Sequence, residues 1–150
     1  MDKEVKKDLI NQVDLALNDK RQELLKHIAN TIDSRDSDTK SSAGDKFETS
    51  REMAQIELNN LEAQLAKVSK QINELQQISI NPTERITIGS LVQTNKAMYL
   101  IAIPFGKIQN QNATYYVISL ASPIGQLLNQ KKKGDSIQFN GNNELIINYL

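Results

Sequence analysis

The residues best placed to do chemistry are acids gathered around one polar stretch. Asp33, Asp36, Asp38, Asp45 and Glu48 lie within sixteen positions, interleaved with Arg35, Lys40, Lys46 and Arg51. Asp45 and Glu48 stand at i and i+3, so on a helix they share a face. Two such carboxylates can supply oxygen ligands to Mg²⁺, which takes one or two carboxylates and keeps several waters. The same spacing is also that of a capping box at a helix start, and Ser42 with Asp45 offers a second cap. Acids there are favoured by the helix dipole whatever their chemistry. Spacing favours capping over chemistry.

Other chemistry is narrowed by composition. There is no cysteine, which excludes a disulfide framework, a thiol nucleophile and a Cys-based zinc site. A single histidine, His27, leaves no His-rich metal site and no Ser-His-Asp arrangement, and it is expected on or beside a helical seam. Lys plus Arg equals Asp plus Glu at 18 each, so no net field steers the chain to nucleic acid. The charged start, Met1-Asp2-Lys3-Glu4, has no apolar run behind it, and no segment approaches the ~18 apolar residues of a membrane span. The expectation is a soluble cytoplasmic protein with no membrane partner.

The elements that must position the acids fall into two halves. Up to about Gln77 there is no proline and one glycine, Gly44, whereas from Asn81 onward come all prolines and the other glycines. Ala54, Leu58, Leu61, Leu65, Val68, Ile72 and Leu75 step by 4 and 3, a heptad seam. Leu9, Ile10, Val13, Leu17, Leu24, Ile28 and Ile32 form a less regular stripe, interrupted at Lys20 and Arg21. Each arm of roughly 30 residues is about 45 Å of helix. Asp33–Asp45 reads as the bend between them. An aromatic content of only 5% suits a chain of which half buries just a seam.

The second half reads as short strands: 86–92, 97–103, 115–119, 136–140 and 144–150, with a turn at Gly141-Asn142-Asn143. Ser122-Pro123 opens a short helix as N-cap and first-turn proline. Lys131, Lys132 and Lys133 read as its last turn and Gly134 as its stop, a solvated helix end rather than a phosphate patch. The expected fold is α+β: an antiparallel coiled-coil hairpin over 1–78 with an acidic tip near 33–48, a linker at 79–85, and a small antiparallel β domain with one helix over 86–150.

Three stretches carry a family resemblance. Ser119-x-x-Ser122-Pro123-Ile124-Gly125 with Gly134-Asp135, the strand opening Ile88-Gly89-Ser90-x-Val92, and Gly44-Asp45-x-x-Glu48 at the bend resemble the Gre transcript-cleavage factors, GreA/GreB. The order of hairpin, linker and FKBP-like β domain agrees, and the resemblance spans nearly the whole chain. It implies a bacterial elongation factor that is not itself an enzyme. Its β domain would dock at the secondary channel of RNA polymerase through Ser122, Pro123, Ile124 and Gly125, although Ser122 and Pro123 also cap their helix. Its tip would enter the channel, where Asp45 and Glu48 help hold Mg²⁺ in the complex and stimulate cleavage of backtracked RNA by two-metal chemistry. Lys40, Lys46, Phe47 and Arg51 would lie near the nascent RNA 3′ end, with DNA contact only by proximity.

The sequence departs from the family at the tip. Lys46-Phe47 replaces Leu-Ser and Arg51-Glu52 replaces Glu-Tyr, so positive charge stands beside the acids. A second expectation follows: a channel regulator of the same fold that does not cleave. From another class comes a coiled-coil adaptor whose β domain binds peptides, although Tyr99, Phe105, Tyr115, Tyr116, Phe139 and Tyr149 are too scattered to define an aromatic pocket.

Overall fold

The structure is a computed structural model that describes residues 1–37 and 44–150, with the side chains of 44–47 outside the description. It contains helices α1 (Lys3–Ser37) and α2 (Gly44–Gln76), strands β1 (Leu91–Thr94), β2 (Met98–Ala102), β3 (Gly106–Asn110) and β4 (Ala113–Ser119), helix α3 (Pro123–Leu128), and strands β5 (Ser136–Phe139) and β6 (Asn142–Tyr149). The chain forms two compact units, Leu15–Ile72 and Met1–Asp14 with Asn73–Leu150. No helix of the described residues is long and apolar enough to cross a membrane.

The unit Leu15–Ile72 is an antiparallel helix pair. The heptad positions Leu58, Leu61, Val68 and Ile72 are buried as their spacing requires, as are Leu17 and Leu24 of α1. Thr31 takes a further seam position at 7% exposure and satisfies its hydroxyl by donating to the His27 carbonyl at 2.8 Å. The expected bend is corrected: α1 continues through Asp33–Ser37. No glycine or proline stops it there, and Arg35 reaches across to accept no break, donating Nη1–H to Gln55 Oε1 at 3.2 Å. The capping readings at Ser42 and Asp45 rest on a residue and a side chain outside the described ones, although α2 does begin at Gly44.

In the other unit a six-stranded sheet has the order β3-β4-β2-β1-β6-β5. The antiparallel expectation is corrected at its centre, where β2 and β4 run parallel. The chain leaves β2 at Pro104-Phe105, runs out along the edge as β3, and returns as β4 between β3 and β2. Strand β3 went unrecognised in the sequence because its turn, with Gln111 at φ 53°, lacks the glycine that marks hairpins. The last hairpin turns at Asn140-Gly141, both with positive φ, rather than at 141–143. This is the Asn-Gly pair that suits a two-residue turn.

The first strand starts at Leu91, not Ile86. Gly89 adopts φ +90°, and a Cβ there would stand 3.2 Å from Ile78 Cγ2, so glycine lets the segment after α2 pack against this turn. Buried Ser90 holds the turn, its Oγ accepting from the Thr87 N–H and bonding Thr83 Oγ1, each at 3.1 Å. The core beneath α3 consists of Ile86, Val92, Tyr99, Ile101, Ile124, Leu128, Ile137 and Ile146. The start of α1 belongs to the same unit: Val5 lines a pocket of about 250 Å³ with Leu91, Met98 and Tyr115. Lys6 is fully buried there and donates from Nζ to the Leu150 carbonyl at 3.3 Å.

Candidate functional site

The acidic stretch falls partly within the described residues. Glu48 is exposed in the first turns of α2, and Arg51 one turn later is exposed as well. Asp33 and Asp36 are exposed on the last turns of α1. Lys40 lies outside the described residues, as do the side chains of Asp45, Lys46 and Phe47. Among the described residues no three His, Cys, Asp or Glu side chains gather as a metal cluster. An exposed carboxylate such as Glu48 fits a Mg²⁺ that keeps most of its waters and takes further oxygens from another macromolecule.

Below that stretch the two arms enclose an open groove of about 690 Å³, lined among others by His27, Thr31 and Arg35 of α1 and Met53, Ile56 and Glu57 of α2. His27 sits beside the seam as expected, its Nε2 2.9 Å from Glu57 Oε1. Both side chains are about half exposed, at 55% and 50%, so solvent screens the pair. Arg35 also donates Nε–H to Asp36 Oδ1 at 3.3 Å, and Gln55 passes the contact on to Asn59 Oδ1 at 3.1 Å. These bonds fix how the arms are aligned without engaging Glu48.

The residues expected to dock a partner divide by orientation. Ser122 is the N-cap of α3, its Oγ accepting from the Gly125 N–H at 3.1 Å and donating to the Ser119 carbonyl at 2.7 Å. Ile124 is 7% exposed and belongs to the core. Gly125 is buried so closely that a Cβ would meet the Ser119 and Leu120 carbonyl oxygens. The structure therefore brings the four together, but Ile124 and Gly125 face inward and Pro123 alone is exposed. Their residue types are explained by building this turn.

The lysine run is corrected. Helix α3 ends at Leu128, and Lys131–Lys133 lie beyond it. Backbone pairing with Ile86 draws the chain away from the helix: the Gln130 N–H donates to the Ile86 carbonyl and the Ile86 N–H to the Lys131 carbonyl. Asp135 Oδ2 then accepts the Lys132 N–H at 2.8 Å.

Among the described residues, two buried charged groups, Lys6 and Glu144, carried no signal in their residue type. Glu144, 6% exposed, accepts from Tyr99 Oη at 3.1 Å to each oxygen and from Thr94 Oγ1 at 2.9 Å. Burial, followed by the adjacent Glu144 charge and its hydrogen bond, pushes the Tyr99 hydroxyl well above its usual range. Lys6 is lowered to about 8, chiefly by burial and secondarily by Lys3. Both residues occupy inward positions of otherwise apolar patterns, Lys6 three before Leu9 and Glu144 two before Ile146. Position, rather than residue type, was the available signal.

No protein-family model and no curated protein matches the chain. Among solved structures it is similar to that of the transcription factor Gfh1, with a TM-score of 0.36 and 18% identity, over 89% of this chain and 92% of that one. A superposition that loose carries no functional inference.

Proposed function

We propose that this protein is a transcription elongation factor that enters the secondary channel of RNA polymerase and stimulates cleavage of backtracked RNA. The observation that supports it is the placement of Gly44-Asp45-x-x-Glu48 at the opening of α2, with Glu48 exposed, in a helix pair followed by a β domain. The resemblance of these stretches to the Gre factors supplies the partner. In this reading the β domain docks at the channel rim near the exposed Pro123, and Asp45 and Glu48 act only beside the polymerase active site. Mg²⁺ bound there would activate a water for attack on the RNA phosphodiester. In this reading the chain's own contribution is the carboxylates of Asp45 and Glu48, carried by arms aligned through Arg35–Gln55 and the Leu58–Leu61 seam. Lys40, Lys46, Phe47 and Arg51 lie near the RNA 3′ end in this arrangement, and DNA is met only by proximity. The setting is the bacterial cytoplasm.

Lys46, standing between the two acids, favours a second reading in which the factor occupies the channel without cleaving. The two are separated by RNA cleavage in stalled, backtracked bacterial elongation complexes, comparing the wild type with the Asp45→Ala/Glu48→Ala protein. The first reading expects cleavage to fall by about 10- to 100-fold with polymerase binding retained. Equal cleavage by both proteins overturns the catalytic role. Binding with no cleavage by either supports the channel-occupying regulator, and absence of polymerase binding moves the assignment to a coiled-coil adaptor.

A further inference from the structure

The β domain carries an edge that neither the acidic tip nor the α3 turn uses. Strand β3 is one of the sheet's two edge strands, opposite β5, and among the described strands pairs with β4 alone, in the register Gly106↔Val117 to Asn110↔Ala113. Gly106, Lys107 and Gln109 are exposed and Ile108 is half-buried, so the edge is open to solvent. An edge strand presents a row of backbone N–H and C=O groups without sheet partners, a template for an added extended chain. Beside it stand two aromatic side chains with unusual exposure, Phe105 at 36% and Tyr116 at 39%. Tyr116 lies directly across from Lys107 in the ladder and shares its face.

Charge selects the occupant. From Ala97 to Gln130 the sequence contains one charged residue, Lys107, and it sits on this edge. An acidic strand gains from that cation, and its apolar residues can lie against the two rings. A second copy of the same edge would bring its own Lys107 and gain nothing, since like charges across a ladder are unfavourable. A lysine on an edge also guards against self-pairing, which is the same repulsion.

We propose that the outer edge of β3 takes an extended, acidic peptide segment of a partner protein, which adds to the sheet beside β3. Backbone hydrogen bonds would supply the affinity, and Lys107 with Phe105 and Tyr116 the selectivity. This surface is independent of the polymerase reading, because it uses neither the tip acids nor Pro123.

The test is amide chemical-shift mapping of the full chain with a synthetic peptide of about ten residues alternating valine and aspartate. The expected result is shifts concentrated on Phe105–Asn110, absent when alternate residues of the peptide are proline. Lys107→Glu, an exposed substitution whose fold the same spectrum checks, should weaken the aspartate peptide by about threefold to fivefold and favour a lysine version of it. No shifts with the aspartate peptide would overturn the proposal. So would shifts insensitive to proline or to Lys107→Glu, or the same shifts on concentrating the protein alone, which would mean that a second copy takes the edge.

Discussion

The helix pair and the β domain treat polar groups in opposite ways. Between the arms of Leu15–Ile72, His27 meets Glu57 with both side chains half in water, and Arg35 meets Gln55 at the surface. In the domain, Glu144 and Ser90 are buried, each with two or more specified partners. The same difference holds for close packing. The helix seam asks only for apolar residues at 3.5-residue intervals, whereas the α3 turn asks for a glycine at one position because carbonyl oxygens stand where a Cβ would go. Tolerance to substitution should follow this division, since a solvated pair loses little when broken and a buried group left unpaired loses its hydration as well.

Gly125→Ala should show the largest effect. Its added methyl cannot avoid the Ser119 and Leu120 carbonyl oxygens without moving backbone, and a loss of about 3 kcal/mol is expected in urea unfolding. A loss below about 1 kcal/mol would mean that this turn is as forgiving as the arms.

Tyr99→Phe comes next. Removing the hydroxyl takes from the Glu144 carboxylate one of its two hydroxyl donors, at a cost of about 1.5–3 kcal/mol for a hydrogen bond to a charged group. The pH dependence gives a second readout. Because the Tyr99 hydroxyl is raised above its unfolded value, the folded state holds that proton longer. Wild-type stability should therefore fall as pH rises above about 10, and the Phe variant should lose that part of the decline.

Lys6→Met tests the comparison with the opposite sign. The buried ammonium has one carbonyl partner, and its value of about 8 lies below the unfolded 10.5. Between those values the unfolded chain binds more protons, so wild-type stability rises with pH across that window. The Met variant should be more stable by about 1 kcal/mol at neutral pH, with its advantage fading toward pH 10.5. Denaturant midpoints of both proteins at the two ends of the window check this; an advantage that grows with pH would contradict it.

His27→Gln should do least. With both partners half exposed, the change is expected within about 0.5 kcal/mol at neutral pH. A cost well beyond that would show that the groove between the arms is as exacting as the domain core.

The division also governs how much could be read beforehand. Leu58, Leu61, Val68, Ile72 and Leu75 announce a buried seam because helical periodicity is local: each residue's face is set by neighbours three and four away. Ser122 and Pro123 announce the start of α3 for the same reason, since a cap and a first-turn proline act within one turn. The candidate acids are equally local in spacing, and Glu48 is exposed at the start of a helix as that spacing allows. Their chemistry, by contrast, rests on family resemblance, because two carboxylates at i and i+3 serve capping and metal binding alike.

The two long helices, their buried seam and the α3 cap were legible in the residues alone. All follow from contacts within a few residues along the chain. Long-range contacts set the rest: β4 inserts beside β2 in parallel, Lys131–Lys133 leave the helix because residues 130 and 131 pair with Ile86, and Lys6 and Glu144 are buried. Each of these depends on a partner distant along the chain, from 17 residues for Tyr99↔Tyr116 to 144 for Lys6 and Leu150. Such contacts override local propensity because the backbone groups and side chains they bury must find their hydrogen bonds wherever the fold provides them.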